Sequence, residues 1–369
     1  MTYRKFKASQ LFDGYRFRNE NEVLITAEDG TVEAIVSTDE AGEDVEQLNG
    51  ILTPGLINCH CHLELSHLKN VIPPHTGLIE FLCSVVTKRG FAPEIIQQEI
   101  EKAEQEMYNN GIVAVGDIGN TADTALVKSR SKIYWQNFVE VIGFTDDKAD
   151  ENFIYYKKIA EELNNVLCTS YLVPPASAFV PRTSLVPHAP YSISPKTFEL
   201  INAATKNQII SIHNQEHPAE DVLYKTGGGE YLKLFNIFGM DTSPFPVTGK
   251  SSIRSVLPHF NNGQTIFLIH NTFMPEEDMV WANEYAATNG LKLVYCLCIN
   301  ANLYIENKTP QVDLFLKHNC HLVLGTDSYS SNWQLSIAKE MQSLFNLVRE
   351  DTNQGSLSKE KILQMATIN

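Results

Sequence analysis

The sequence predicts an α/β protein: a (β/α)8 TIM-like barrel carrying a small β-rich accessory domain. Three observations point to it. From about residue 51, short continuously apolar runs alternate with amphipathic stretches, the pattern of parallel strands covered by helices on both faces. Eight such runs fall within roughly 300 residues, a length that suits a barrel whose usual core is ~250. The first fifty residues differ, reading as short strands around a tight turn. An open doubly wound sheet is the alternative arrangement of the same elements.

Residues 1–52 are the accessory unit. Within them EVLITAEDGTVEAIVS places two strands around Asp29-Gly30, a dipeptide suited to a hairpin turn. Residues 53–369 are the barrel domain. Its strand runs are 51–58 (ILTPGLIN), 111–118 (GIVAVGDI), 133–144 (IYWQNFVEVIGF) and 184–188 (SLVPH). They continue with 208–213 (QIISIH), 264–270 (QTIFLIH), 291–298 (LKLVYCLC) and 321–326 (HLVLGT). Helices are expected at 93–109, 195–206 and 275–289, each opening on Pro or an acid. The crossover 145–183, with its VPPASAFVPRT, reads as a loop excursion, and SLSKEKILQMATIN as a last helix.

A hydrophobic fraction of 43% with 20% charged residues fits a soluble globular protein. The net charge of −15, from 44 acids and 29 bases, repels nucleic acid and anionic lipid. MTYRKFKASQLFDGY lacks an apolar signal segment, and no run approaches the ~18 apolar residues of a membrane span. A cytoplasmic protein acting on a small molecule is expected. The seven cysteines contain no CxxC pair and read as reduced, packed thiols.

Polar residues cluster at the ends of the apolar runs. His60 and His62 follow the first, His188 the fourth, His213 the fifth, His270 the sixth and Asp327 the eighth. In a parallel barrel these ends share one mouth, where active sites lie. Strand alternation puts His60, His62 and Glu64 on one face and Cys59 and Cys61 on the other, so the cysteines are expected to face the helices. His60, His62, His213 and Asp327 form a three-nitrogen, one-oxygen set for one divalent ion, zinc or alternatively iron(II). Such a set leaves room for a water, whose pKa beside the ion can fall to roughly 7.

Glu216 in HNQEHPAED stands three positions after His213, within reach of a substrate atom, and suits a proton carrier. His270 is expected beside the water rather than as a fourth metal nitrogen. His188, fixed between prolines in VPHAP, is expected to contact substrate, with Glu64 and Ser66 lining the pocket. His217 reads as solvated; His67, His75, His259, His318 and His321 read as structural or surface residues.

Taken together, TPGLINCHCHLELSHL, PHAPYSIS, SIHNQE, LIHN, CINANLYIEN and LGTDSYSSN resemble the amidohydrolase superfamily over residues 50–350. The similar branch holds chlorohydrolases and deaminases of adenosine-type, guanine and cytosine substrates. The resemblance implies metal ligands His60, His62, His213 and Asp327, a proton shuttle at Glu216, and His270 near the water. It implies hydrolytic deamination of a modified adenosine such as aminofutalosine, methylthioadenosine or S-adenosylhomocysteine. Asp327 and His270 would take up the water's proton and Glu216 would protonate a ring nitrogen before ammonia leaves. The rivals are attack on a C–Cl bond or another C–N bond, as in guanine or cytosine deaminase and imidazolonepropionase, and a barrel that has lost catalysis.

Two departures stand out. Ile299 replaces a proline usual after the seventh-strand cysteine, and relatives continue past ATIN into strands that complete the accessory unit, which is therefore expected to lack those partners. No lysine lies in SLVPHAPYS to bridge two metals, so one ion is expected. His62-Leu-Glu64 matches half of the unrelated cytidine-deaminase signature, but no P-C-x-x-C follows. Specificity is expected from loops 63–78, 145–183 and 217–260, the last as a mobile lid, and a homodimer is the expected assembly.

Overall fold

The computed structural model describes residues 2–170, 182–350 and 357–368. Strands β1 (Tyr3–Leu11), β2 (Glu22–Ala27), β3 (Val32–Ser37) and β4 (Glu46–Leu52) form one sheet in the order β3-β2-β1-β4. β2 pairs antiparallel with both β1 and β3, and β4 runs parallel to β1. The hairpin at Asp29-Gly30 is present: Gly30 takes φ +88°, and Asp29 Oδ1 accepts the Thr31 N–H at 2.9 Å, an Asx turn.

Eight more strands follow: β5 (Leu56–Cys61), β6 (Ile112–Gly119), β7 (Tyr134–Val141), β8 (Arg182–Pro187), β9 (Ile209–Asn214), β10 (Thr265–His270), β11 (Lys292–Leu297) and β12 (Leu322–Leu324). They make two parallel sheets, β5-β6-β7-β8 and β9-β10-β11-β12. The sheets meet where the His213 N–H donates to the His188 carbonyl at 3.1 Å. They meet again where the Asp327 N–H donates to the His60 carbonyl at 3.0 Å. Each strand matches one apolar run, with one shift. ILTPGLIN is divided at Pro54, whose missing N–H interrupts a ladder. Ile51 and Leu52 therefore close β4, and β5 starts at Leu56 and carries His60 inside it.

Helix Pro93–Asn109 buries Ile100, Ala103 and Met107, the three–four spacing of one helical face. Pro195–Ala204 begins at Ser194, whose side chain accepts from the Thr197 N–H, and Glu276–Asn289 stops at left-handed Gly290. Apolar side chains of both parallel sheets and their helices, Trp135, Phe198, Leu268 and Tyr295 among them, merge into one core. Each such burial contributes roughly 1.5–3 kcal/mol, and the core fixes the strand ends.

The loop expected over 145–183 is largely a helix, Ala149–Ser170, because Ile159, Ala160, Leu163 and Leu167 line one buried face. VPPASAFVPRT lies outside the described residues except for Arg182 and Thr183, which open β8. The insertion 217–260 is packed against the body of the protein. Its helix Tyr231–Ile237 buries Tyr231 and Phe235, and Tyr231 stacks on Tyr191 with ring centroids 4.4 Å apart. The last helix, Lys359–Thr367, starts at Ser358, whose side chain accepts from the Lys361 N–H. Among the described residues no helix is long and apolar enough to cross a membrane.

Candidate active site

Parallel strands share one C-terminal edge, and there the chain gathers its histidines. His60 Nε2 and His62 Nε2 lie 3.4 Å and 3.6 Å from Asp327 Oδ1, and His62 Nε2 lies 3.4 Å from His213 Nε2. All four residues are buried. Ligand atoms of His60, His62 and His213 lie within 4.8 Å of one another, and so do those of His60, His270 and Asp327. Four residues of the sequence set, distant along the chain, thus meet around one point, with His270 at its side.

Several of these positions need unusual backbone. Gln215, His270, Asn271 and Asp327 take φ of +41°, +70°, +56° and +57°, the left-handed region that non-glycine residues rarely enter. Each costs on the order of 1 kcal/mol and persists where surrounding bonds over-determine it. Here the Asn271 side chain donates to the Leu268 carbonyl and receives the Asn214 amide, while Asn58 Oδ1 accepts the Thr326 N–H. Gly325 has no Cβ for a further reason: one there would lie 2.8 Å from His60 Cβ and 2.9 Å from Cys296 Sγ.

The cysteines correct the simple alternation. His213, Ile269, Cys296 and Val323 are register partners across β9–β12 and share a face. Cys59 packs with Ile269, Cys296 and Val323 on that face, beneath the histidines, rather than toward the helices. The register of β5 on β6 shifts between Asn58 and Cys61, a bulge that breaks the two-residue period. Cys61 does join the outer core. No cysteine is part of the ligand-like groups among the described residues.

Burial lowers the pKa of His62 and His213 well below the usual value, and brings His188 and His270 down to about 4. All four rings are therefore neutral, the form that binds a metal. Burial pushes the Asp327 carboxyl up, but the facing His60, His62 and His270 outweigh it and hold the group well below the usual range. Glu216 goes the other way: burial, with Asp327 nearby, raises it well above 4.5. Both nitrogens of His60 and Nδ1 of His62 have no hydrogen-bond partner. Buried nitrogens without partners are costly, and the donor set, neutral imidazoles plus one ionised carboxylate, fits a divalent cation.

Hydrogen bonds orient the rings. His213 Nδ1–H donates to the His188 carbonyl at 2.7 Å, which turns Nε2 toward the cluster. His270 Nδ1–H donates to Asn302 Oδ1 at 2.9 Å, leaving Nε2 facing Glu216 Oε1 at 3.5 Å. Ser331 donates to Asp327 Oδ2 at 2.6 Å. His217 is not simply solvated, since its ring accepts the Ala219 N–H and caps helix Pro218–Thr226.

A pocket opens above the cluster. His62, His188, His213, Glu216, His270 and Asp327 form its floor, and Leu78, Phe81, Leu82, Val85 and Val86 of helix Leu78–Lys88 form an apolar wall. Glu64 lines it, although it belongs to a short 3-10 helix (Leu63–Leu68) rather than to the strand. Its Oε2 accepts from the Asn120 and Thr121 N–H groups and the Thr121 hydroxyl, and Arg89 reaches Oε1 at 3.3 Å. Ser66 does not line the pocket; its hydroxyl donates to the Leu63 carbonyl at 2.7 Å. Arg89, Asn120, Glu140 and Tyr191 also line it without having stood out in the sequence. Glu140 left one signal, an acid inside the apolar run FVEVIGF.

Aminodeoxyfutalosine deaminase of a Nitratiruptor species is 25% identical over 334 residues, 86% of this chain and 72% of that one. 5′-Deoxyadenosine deaminase of Methanococcus vannielii is 25% identical over 325 residues, 84% of this chain and 66% of that one. Helicobacter pylori aminofutalosine deaminase in complex with methylthio-coformycin superposes with TM-score 0.78 at 20% identity, covering 98% of this chain and 85% of that one. A zinc-bound adenosine deaminase from Xanthomonas campestris gives TM-score 0.72 at 18% identity, covering 97% and 76%. The amidohydrolase family model matches residues 51–369, from the end of β4 through the histidine cluster to the last helix: the chain belongs to the amidohydrolase family.

Proposed function

We propose that this chain is a metal-dependent hydrolytic deaminase of an aminated purine-type ring, acting on an adenosine derivative and releasing ammonia. The observation that carries the reading is the meeting of His60, His62, His213 and Asp327 beside a buried Glu216 and a neutral His270. In this reading residues 1–52 are an accessory unit, and the eight parallel strands of 53–369 close into a (β/α)8 barrel whose mouth holds the site. His60, His62, His213 and Asp327 would hold one ion, zinc by the preference of imidazole with carboxylate. Such an ion supplies Lewis-acid activation of a water nucleophile.

The chain's own groups handle the protons. Burial raises the Glu216 pKa well above the usual carboxylate range and so favours its acid form, which gives its proton to the ring nitrogen beside the amino-bearing carbon, making that carbon electrophilic. His270 Nε2, bare because Asn302 takes the Nδ1 proton, accepts a proton from the attacking water together with ionised Asp327. The proton taken up by His270 and Asp327 then passes to the amino group, which leaves as ammonia, and the proton of the hydroxyl left on the ring carbon restores the acid form of Glu216. Phe81, Leu82 and Val85 keep bulk water from the ring.

The test is Glu216→Gln. Metal content of the purified variant should match wild type while ammonia release from adenosine, 5′-deoxyadenosine or methylthioadenosine falls by roughly 10²–10⁴. Undiminished release would rule out the shuttle. Release from guanine or cytosine alone would move the activity to another amidohydrolase reaction.

A further inference from the structure

One buried carboxyl beside the site takes no part in the proton transfers. Glu220 is 0% exposed and stands in the first turn of helix Pro218–Thr226, which opens just after Glu216. With His217 as the N-cap, Glu220 is the third helical residue, a position whose acid commonly bends back to the N–H of the cap itself. Here it reaches two residues further. Its Oε1 accepts the Gln215 N–H at 2.9 Å and the Ser252 hydroxyl at 2.5 Å, while Oε2 has no hydrogen-bond partner.

Gln215 is a residue that needs holding. It follows β9 with φ +41°, and the chain then presents Glu216 Oε1 3.5 Å from His270 Nε2. The Gln215 carbonyl accepts the Phe273 N–H at 2.9 Å, and its side-chain amide donates to Asp278 Oδ2 at 2.8 Å. Carbonyl and side chain lie on one side of the N–Cα bond, and the N–H lies on the other. Fixing both sides is what maintains a left-handed φ against its cost, and Glu220 supplies the N–H side. Ser252 steadies the carboxyl in turn, and its own N–H donates to Asp221 Oδ1 at 2.9 Å. Gln215 is 2% exposed, so without an acceptor at 220 its N–H is a buried donor with no partner. Rotating the peptide to relieve that donor swings Glu216 away from His270.

We propose that Glu220 is a positioning residue: by holding the Gln215 N–H it sets the backbone from which the Glu216 carboxyl faces His270 and the substrate ring. What the position requires is a hydrogen-bond acceptor rather than a charge. Burial moves the Glu220 pKa from 4.5 to about 8, which favours its acid form near pH 7. Glutamine therefore reproduces both its shape and its acceptor, and places its NH2 where Oε2 has no bond to lose. The inference deepens the deaminase reading and rests on it for the proton that Glu216 delivers.

The experiment compares metal-loaded wild type, Glu220→Leu, Glu220→Gln and Ser252→Ala by steady-state ammonia release from methylthioadenosine, by Tm and by the crystal structure of each. Leucine fills similar space without an acceptor. Glu220→Leu should lower kcat by roughly 10- to 100-fold, the effect of a misplaced reacting group. Its KM and metal content should match wild type, and Glu216 should lie displaced from His270. Glu220→Gln should restore most of the lost kcat. A carboxyl that serves only to cap the helix would lower Tm in Glu220→Leu and leave kcat at the wild-type level, which overturns the proposal. A Glu220→Gln as slow as Glu220→Leu overturns it too, since the charge is then what counts. Where Glu220→Leu fails to fold, Ser252→Ala decides: a kcat reduced several-fold at unchanged KM upholds the proposal, and an unchanged kcat overturns it. Wild type that releases no ammonia defeats the deaminase reading instead, and the crystal structures then judge the positioning. Glu216 displaced in Glu220→Leu, or in Ser252→Ala where leucine does not fold, yet in place in Glu220→Gln upholds it; any other pattern overturns it.

Discussion

At the scale of single residues, chemistry was readable where it sits at the end of an apolar run. His60, His62, His213, His270 and Asp327 announced themselves in this way because strand ends and polar side chains coincide in the sequence. Glu140 and Asn302 did not: one lies within a strand and the other within helix Ile299–Glu306, and only folding brings them to the pocket and to His270. Asn302 is buried and accepts the His270 Nδ1 proton, so its role is to keep Nε2 bare. Asn302→Ala should lower kcat for ammonia release by roughly 10- to 100-fold with little change in KM, as loss of a ring-orienting partner does. An unchanged kcat would show that His270 holds its tautomer without help.

At the scale of elements, periodicity located strands and helices to within a few residues, as for Pro93–Asn109 and Glu276–Asn289. It failed at 145–183, where a proline-rich neighbour masked the amphipathic pattern of Ala149–Ser170, and at β5, where a bulge put Cys59 under the histidines. Neither could be read from period alone, because a bulge depends on the partner strand. The turn leaving β5 is held from β6: Asp117 Oδ1 accepts the Leu63 N–H at 2.8 Å, and Asp117 Oδ2 meets Lys128 Nζ at 2.5 Å. Both charged side chains are buried, and Lys128 also donates to Asn137 at 2.7 Å. Lys128→Met strands a buried carboxylate and should cost about 3–5 kcal/mol by denaturant unfolding. Adding Asp117→Asn should recover part of that loss. A single-variant cost below about 1 kcal/mol would mean that the pair is hydrated.

At the scale of the whole molecule, buried carboxyls leave a mark on pH dependence. Glu340 is fully buried against Asn300 and Asn332, and burial moves its pKa from 4.5 to about 7. In the unfolded chain it ionises near 4.5, so the stability it contributes as a neutral acid is complete below that pH and lost as pH rises through 7. Glu340→Gln should therefore gain up to about 3 kcal/mol relative to wild type between pH 4.5 and about 8. Parallel stability curves would contradict the shift. Chelation of divalent ions should abolish ammonia release and lower Tm, and zinc should restore both, since a ligand bound only by the folded form stabilises it. One peptide oxygen ties these scales together. The carbonyl of His188 receives both the backbone and the ring N–H of His213, so a residue of the pocket wall and a residue of the histidine cluster share an anchor. Occupancy at one should be felt at the other. Whatever factor a nucleoside analogue gains in affinity when zinc is present, zinc must gain when the analogue is present, and titrating each against the other would measure that reciprocity.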